Sequence, residues 1–449
     1  MSPGTATARR GVLGLRDFRL LFAGQTVSTV GDQIFPVAVT IAVLNSTGND
    51  AGSVGLVLAA RWVALVLFVL LGGVWADRLP RRAVMMASDA FRLLAVVVLA
   101  LLPASPPVWA LAAMVFLVGG GEAFFRPAYG ALVPGVVPLE LRPAANALTS
   151  VSLRTAAVVG PGLGAGLVAL VGVRTAFVVD AATFLISLLT LARLREPAYE
   201  ASASHSVLAD IREGFAEVWR HRWAAAVLGV AALQLMLAVA PAVVLLPVIG
   251  RREFGGDAVY GTALSLFSLG GVLGAVTAMR LRPRHPGLVG VLGLLPYALV
   301  PVSLLTPFAP WWIFACHFVA GLCLEPFIVF WTSALQRAFP AHQLARVTSI
   351  DWLCSFALMP IGLALVGPAA GRFGEAAVLA SAAVVAVVPV LLLLLVPGMK
   401  DFRDPRSAGD TAPAESAAED SPPAPTPSAA PAAEAGTAVP RPDEAARAG

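Results

Sequence analysis

The sequence predicts an all-helical membrane protein with twelve transmembrane helices in two six-helix lobes. Apolar residues make up 58% of its 449 residues and charged residues only 13%, against about 45–50% and about 25% in soluble proteins. The apolar residues also form twelve runs, each long enough to cross a bilayer as a helix. These predicted helices 1 to 12 are 20–45, 53–76, 83–103, 107–126, 144–170, 175–193, 223–249, 258–280, 287–306, 311–331, 347–370 and 376–396.

A polar stretch divides the runs into six and six. We expect an N-terminal lobe over 1–193, a cytoplasmic linker over 194–222, a C-terminal lobe over 223–397 and a disordered cytoplasmic tail over 398–449. The tail is rich in Ala, Pro, Glu and Ser, and it has too little apolar surface to fold. In the linker, an apolar residue recurs at helical spacing, which predicts an amphipathic helix at the membrane surface. Its apolar positions are Leu208, Ile211, Phe215, Val218 and Trp219.

The distribution of arginine predicts the orientation of the chain. Loops on one side of the membrane contain only Arg174, Arg251, Arg252 and Arg372, whereas the other side contains many more, including Arg193, Arg280 and Arg284. Cytoplasmic loops carry the excess of Lys and Arg. We therefore expect both termini in the cytoplasm.

The loop between predicted helices 2 and 3 carries a motif of small and charged residues. It consists of Gly73, Asp77, Arg78, Arg81 and Arg82, in the pattern Gly-x-x-x-Asp-Arg-x-x-Arg-Arg. This pattern resembles the loop signature of the major facilitator superfamily, except that Pro80 stands where that family usually has glycine. The resemblance implies a gating loop, and we expect it to bridge to the start of predicted helix 11, near Arg346 and Asp351.

Predicted helix 5 contains a second motif, at Gly160, Pro161 and Gly164. Small residues four apart let helices pack closely, and proline frees a backbone carbonyl group so that a helix can bend. The run resembles the helix-5 signature of antiporters in the same superfamily. Drug/proton antiporters also carry an arginine in the middle of helix 4, but here Arg126 falls at the predicted end of that helix. This departure argues against their usual proton relay.

Further motifs resemble one branch of the superfamily. They are Arg16-Asp17-Phe18-Arg19, Phe125-Arg126-Pro127-Ala128, Ala145-Asn146-Ala147-Leu148 and Phe177-Val178-Val179-Asp180-Ala181-Ala182-Thr183-Phe184. Together with Gly160-Pro161 they are similar to motifs of the macrolide-efflux and enterobactin-exporter-like branch. The similarity covers about residues 15 to 397, and it implies the export of small, often amphipathic molecules.

Asp32 lies about halfway through predicted helix 1. A charge at the bilayer centre costs about 2.5–3.5 kcal/mol even on an insertion scale, so it normally faces a wet cavity or a charged partner. A carboxyl group that is buried in one state and hydrated in another can take up and release protons. We therefore predict that Asp32 couples transport to an ion. The alternative is a structural ion pair with Arg61 or Arg154.

Glu122 and Glu325 occupy near-equivalent places in predicted helices 4 and 10, because the sequence repeats weakly at an offset of about 202 residues. We expect both about five residues from the cytoplasmic ends of helices that, in the superfamily, line the transport cavity. Glu122 has Arg126 one turn away as a possible partner. His317 lies two turns from Glu325, where it either titrates near neutrality or forms a hydrogen bond in the core.

The chain lacks the patterns of the main competing classes of protein. It has no nucleotide-binding loop, nucleophile elbow or zinc-ligand spacing. Its three cysteines, Cys316, Cys323 and Cys354, lie in apolar runs. The basic pI, near 9.3, comes without a contiguous basic face with interleaved aromatic residues, which argues against nucleic-acid binding.

We therefore expect a monomeric secondary transporter in a bacterial plasma membrane, with no enzyme activity, cofactor, metal or nucleic-acid partner. Its partners would be the lipid bilayer, a small-molecule substrate and protons as the coupling ion. Proton-coupled export by alternating access between the two lobes is the favoured function. The alternatives are a substrate-specific uptake permease and a non-transporting membrane sensor or scaffold.

Overall fold

The computed structural model describes residues 11–196 and 215–402. In that part of the chain, twelve helices are long and apolar enough to cross a membrane, which confirms the predicted number. They are α1 Arg16–Thr47, α2 Ala51–Arg78, α3 Arg81–Leu101, α4 Val108–Val136, α5 Arg142–Val171, α6 Val173–Arg193, α7 Arg222–Phe254, α8 Ala258–Arg280, α9 Pro286–Leu305, α10 Pro310–Ala338, α11 Ala341–Phe356 continued by Met359–Phe373, and α12 Glu375–Leu393.

Several predicted features lie outside the described residues. The tail from 403 and the linker segment 197–214 are among them, although residues 215–220 at the end of the linker are helical. The side chains of Asp77, Arg78 and Arg346 and the surroundings of Gly73 are also outside the described part. The expected bridge from the gating loop to helix 11 therefore stays a prediction.

Each half of the chain packs mainly within itself. In the first half α1 packs against α5 and α6, and α4 packs against α2 and α3, whereas in the second half α8 packs against α10. Successive helices run in opposite directions, so the turns fall on two faces. The arginine-rich face carries Arg16, Arg142, Arg193 and Arg280, and the arginine-poor face carries the turns at Gly48, Gly172, Gly255 and Gly374.

The turn between α1 and α2 shows how the sequence fixes a helix boundary. Gly48 and Asn49 both have positive φ, 66° and 77°, and a left-handed residue ends a helix. Asp50 then caps α2, because its carboxylate accepts hydrogen bonds from the backbone N–H groups of Gly52, at 3.3 Å, and Ser53, at 2.7 Å. These bonds hold the pKa of Asp50 below its usual value.

The ends predicted for helices 4 and 10 are wrong. The charged Arg126 and the prolines after it indicated an exit from the membrane, but α4 continues through Pro127 and Pro134 to Val136, and α10 continues to Ala338. A proline inside a transmembrane helix is tolerated where neighbouring groups satisfy the freed carbonyl. Glu122, Arg126 and Glu325 therefore lie well inside their helices.

The two halves meet through α5 with α8 and α2 with α11. Glycines permit close approach at both contacts: a side chain at Gly261 would strike the carbonyl of Pro161, and one at Gly55 would strike that of Leu363. The amide of Asn49 also donates to the carbonyl oxygen of Val248, at 3.1 Å. All three contacts lie toward the arginine-poor face.

Candidate functional site

Ionisable side chains from five helices of the first half meet inside the bundle. This charged cluster consists of Asp32 on α1, Arg61 on α2, Asp89 and Arg92 on α3, Glu122 and Arg126 on α4, and Asp180 on α6. Glycines bring the helices close enough for these side chains to meet. A side chain at Gly31 would strike Asp180 and Thr183, and one at Gly121 would strike Arg92.

Arg92 is the partner of Asp32. Its Nη1 lies 3.1 Å from Asp32 Oδ1, and its Nη2 lies 2.5 Å from Asp89 Oδ1. The alternative pairing of Asp32 with Arg61 or Arg154 is therefore wrong. Arg92 was missed by the sequence analysis, although an arginine and an aspartate three residues apart inside an apolar run give the same signal as Asp32 itself.

The surroundings of Arg92 fix its position independently of Asp32. Its side chain is 2% exposed, and its guanidinium lies 4.7 Å from the ring centre of Phe125 and 4.4 Å from that of Phe184. Cations are attracted to aromatic faces. Ser187 completes the support by donating a hydrogen bond of 2.6 Å to the second oxygen of Asp89. Arg92 is thus held by three contacts besides Asp32.

Glu122 forms the second centre of the cluster. Its Oε2 accepts hydrogen bonds from Nε and Nη2 of Arg61, at 3.0 and 2.8 Å. Its Oε1 accepts from Arg126, whose Nε lies 3.0 Å away. The expected pairing with Arg126 is therefore present, and Arg61 pairs with the other oxygen of the same carboxylate, so that each arginine donates through Nε and Nη2 to one oxygen of Glu122.

Asp180 is the buried acid for which the structure shows no hydrogen-bond partner. It is fully buried, and among the described residues neither of its carboxylate oxygens has such a partner. A carboxylate in such a place carries a large desolvation cost. In the sequence Asp180 stood out only as part of a family motif, although a lone acid inside predicted helix 6 is the same signal as Asp32.

A cavity of about 280 Å³ reaches the charged cluster. Asp32 and Arg92 contribute to its wall together with Glu122 and the polar residues Thr29 and Tyr129. The side chain of Asp32 is 34% exposed, whereas that of Arg92 is nearly inaccessible. Asp32 therefore lies between the cavity and the buried arginine.

The remaining predicted residues lie outside this cluster. Arg154 on α5 reaches across to the second half, where its Nη1 lies 3.5 Å from Glu325 Oε2, without a hydrogen bond to that oxygen. His317 is buried, and its Nδ1 donates to the carbonyl oxygen of Ile313 at 2.8 Å. The hydrogen-bonded alternative for His317 is confirmed.

Residues of the helix-5 motif and of the gating loop contact neighbouring helices. Gly160 and Gly164 of α5 pack against Gln33 and Ile34 of α1, next to Asp32. At the start of α3, Arg82 donates hydrogen bonds of 2.7 Å to the carbonyl oxygens of Leu191 and Ala192 at the end of α6. Arg81 donates one of 3.0 Å to Ala131 of α4. These two arginines tie α3 to its neighbours at the arginine-rich face.

The second half contains a larger and more apolar cavity, of about 500 Å³, between α7, α8, α9, α10 and α11. Aromatic side chains form much of its wall: Phe267, Tyr297, Phe327, Trp331 and Phe356. Asp351 is the one residue among the described lining that carries a formal charge at neutral pH. Among the described residues no group of His, Cys, Asp and Glu fits a metal ion.

The chain is similar to several bacterial exporters. It is 28% identical to the multidrug efflux pump Tap of Mycolicibacterium fortuitum over 79% of this chain and 89% of that protein. It is 28% identical to the enterobactin exporter EntS of Citrobacter koseri, covering 88% and 95% of the two chains. It is 24% identical to macrolide efflux protein A of Streptococcus pyogenes, covering 80% and 90%.

Solved structures share the fold. A peptide transporter POT matches with a TM-score of 0.71 at 17% identity, over 88% of this chain and 97% of that one. A bacterial homologue of the iron transporter ferroportin, in an inward-facing state, matches with a TM-score of 0.68 at 15% identity, over 85% and 98%. The sequence profile of the Major Facilitator Superfamily matches residues 21–362. The protein is therefore a transporter, not an enzyme, and it belongs to the major facilitator superfamily.

Proposed function

We propose that this protein exports small amphipathic molecules across a bacterial plasma membrane in exchange for protons. The relatives described above are named as efflux proteins or exporters, and all come from bacteria. Their similarity extends over most of both chains. The arginine-rich face is then cytoplasmic, as the positive-inside rule expects, and the contacts at Gly55, Gly261 and Asn49 then lie toward the outer side.

The observation that best supports proton coupling is the position of Asp32, which lies between a cavity and the fixed Arg92. A proton from the cavity can reach Asp32 because a third of its side chain is exposed. Protonation would remove the charge that faces Arg92, while Asp89 and the two aromatic rings keep Arg92 in place. Protonation would therefore weaken the ion pair between Asp32 on α1 and Arg92 on α3. This local change can shift the balance between two conformations of the transporter.

The remaining predicted site residues have supporting roles in this proposal. Glu122 holds Arg61 and Arg126 in the cluster, and Arg154 with Glu325 links the two halves. His317 belongs to the wall of the second cavity. Gly160, Pro161 and Gly164 let α5 move against α1, and the gating loop with Gly73, Asp77, Arg78, Arg81 and Arg82 controls the cytoplasmic side.

The test is Asp32→Asn in purified protein reconstituted into liposomes. A macrolide, a catecholate siderophore and ethidium serve as cargo, with an imposed pH gradient. We expect the variant to lose gradient-driven accumulation and to keep downhill exchange, because exchange needs no net proton movement. It should fold normally, because Arg92 retains Asp89. Glu253→Gln, an exposed acid paired with Arg252 at the end of α7, is the control.

Other outcomes decide against the proposal. A stable Asp32→Asn protein that still accumulates cargo would place the coupling group elsewhere. A variant that melts early would show that Asp32 is a structural ion pair. Wild-type transport in the uptake direction, or no transport of any cargo, would favour the permease and the sensor, respectively.

A further inference from the structure

We propose that the apolar cavity of the second half is a binding site for amphipathic organic cations, with Asp351 as the counter-ion. The inference rests on the proposed function in that it names the class of cargo. The cavity of about 500 Å³ lies within the usual range for small-molecule sites, about 300–1,000 Å³.

The position of Asp351 is fixed by its neighbour Trp331. The indole Nε1 donates a hydrogen bond of 3.1 Å to Asp351 Oδ1. Trp331 is itself buried, and it stacks on Phe327 with ring centres 6.1 Å apart. The carboxylate is therefore held at one place in the wall rather than free to turn toward water.

The cavity offers Asp351 no cationic partner. Among its described lining residues there is no lysine or arginine, and His317 uses its Nδ1 proton on a backbone carbonyl. A carboxylate in an apolar cavity is costly unless a positive charge approaches it. A bound cation supplies that charge, and the aromatic faces of Phe327 and Trp331 attract cations as well. An anion of the same shape would face repulsion.

The cavity also borders the surface where the two halves meet. Phe356 forms part of its wall and stacks on Trp62 of α2, with ring centres 5.0 Å apart and planes within 6° of parallel. A ligand in the cavity therefore lies beside a contact that must change when one half moves against the other. This position suits a transported molecule better than a permanently bound lipid.

The test compares two ions of the same shape and opposite charge. Tetraphenylphosphonium and tetraphenylborate are each measured by equilibrium dialysis against the purified full-length protein in detergent, without any gradient. We expect the wild type to bind the phosphonium at least about tenfold more tightly. Asp351→Asn should bring the two affinities within about threefold, because its amide oxygen keeps the bond from Trp331 but not the charge.

Two further variants keep the result interpretable. Asp351→Glu retains the charge and should retain the preference for the phosphonium. Glu217→Gln, which changes an acid paired with Arg220 outside the cavity, controls for a change in overall charge. Equal affinity of the wild type for both ions, or an unchanged preference in Asp351→Asn, would overturn the inference.

The binding assay separates this inference from the proposed function. Export of some other cargo by a protein that shows no preference between the two ions would leave the proposed function standing and refute the cation site. A preference that depends on Asp351, in a protein that transports nothing in liposomes, would do the reverse.

Discussion

The two halves of this transporter share a fold but differ in what they contain at equivalent depth. The first half encloses a cluster of four acids and three arginines, whereas the second half encloses an apolar cavity with one acid. At the repeat offset of about 202, the second half has Gln234, Ala263, Val291, Leu294, Ile328 and Ala382 where the first has Asp32, Arg61, Asp89, Arg92, Arg126 and Asp180. Glu122 alone has an acidic counterpart, Glu325, which lies one position further along, at an offset of 203.

This difference shows how one fold can accommodate two kinds of chemistry. Charges inside a membrane protein are tolerated where they pair with one another, and the arginines of the first half supply that pairing. With the arginines absent, the second half loses the ion pairs and gains space, since Leu294 and Ile328 both line its cavity. We infer that the first half responds to ions and the second half accommodates cargo.

The largest expected effect comes from removing the arginine at the centre of the cluster. Arg92→Leu leaves Asp32 and the fully buried Asp89 without a cation, and breaking a buried ion pair on one side costs about 3–5 kcal/mol. We expect a large loss of folded protein and a much lower melting temperature in detergent.

The control is the same change at an exposed arginine of the cluster. Arg126 is 60% exposed, and Glu122 keeps Arg61 when Arg126 is lost. Arg126→Leu should therefore cost no more than about 1 kcal/mol. Equal melting temperatures for the two variants would mean that the cluster does not stabilise the first half.

A medium effect is expected when a carboxylate becomes an amide in either half. Glu122→Gln removes the charge between two arginines, and hydrogen bonds to charged groups are worth about 1.5–3 kcal/mol each, so the first half should lose stability. Asp351→Asn keeps its hydrogen bond and should alter the melting temperature little while changing ligand preference. The comparison fails if Asp351→Asn destabilises the protein as much as Glu122→Gln does.

The sequence predicted the fold well because the signals for transmembrane helices are local. The lengths of the apolar runs determined all twelve spans, and the loop and helix-5 motifs indicated the family. Helix ends were less predictable, since Pro127 and Arg126 indicated an exit from the membrane. Arg126 instead stays inside α4 because Glu122, one turn earlier, pairs with it.

The candidate site was predicted only in part, for a different reason. Asp32, Arg61 and Glu122 were identified because each is a charge inside an apolar run. Their partners depend on which helices meet, and neither the length nor the spacing of the runs contains that information. The pairing of Asp32 with Arg92 follows from the packing of α1 and α3 against α6 and of α3 against α4, which glycines such as Gly31 and Gly121 permit. The cavity of the second half left no sequence signal, because its lining residues are those of any apolar helix.

The smallest expected effect on stability concerns the one described ion pair that joins the two halves at this depth. Arg154 is 46% exposed and lies 3.5 Å from Glu325, so Arg154→Gln should lower the free energy of unfolding by less than about 1 kcal/mol. The same small energy still changes the balance between two conformations by up to about fivefold. Because the pair connects α5 to α10, it stabilises the conformation described here relative to any in which these helices separate.

We therefore expect Arg154→Gln and Glu325→Gln each to change the rate of downhill exchange in liposomes by a few fold, and the double variant to match either single one. Arg220→Gln, which removes an exposed pair with Glu217 within one helix, should leave the rate unchanged. Additive effects of the two single variants would show that Arg154 and Glu325 act separately, and the charged first half and the apolar second half would then be coupled by some other contact.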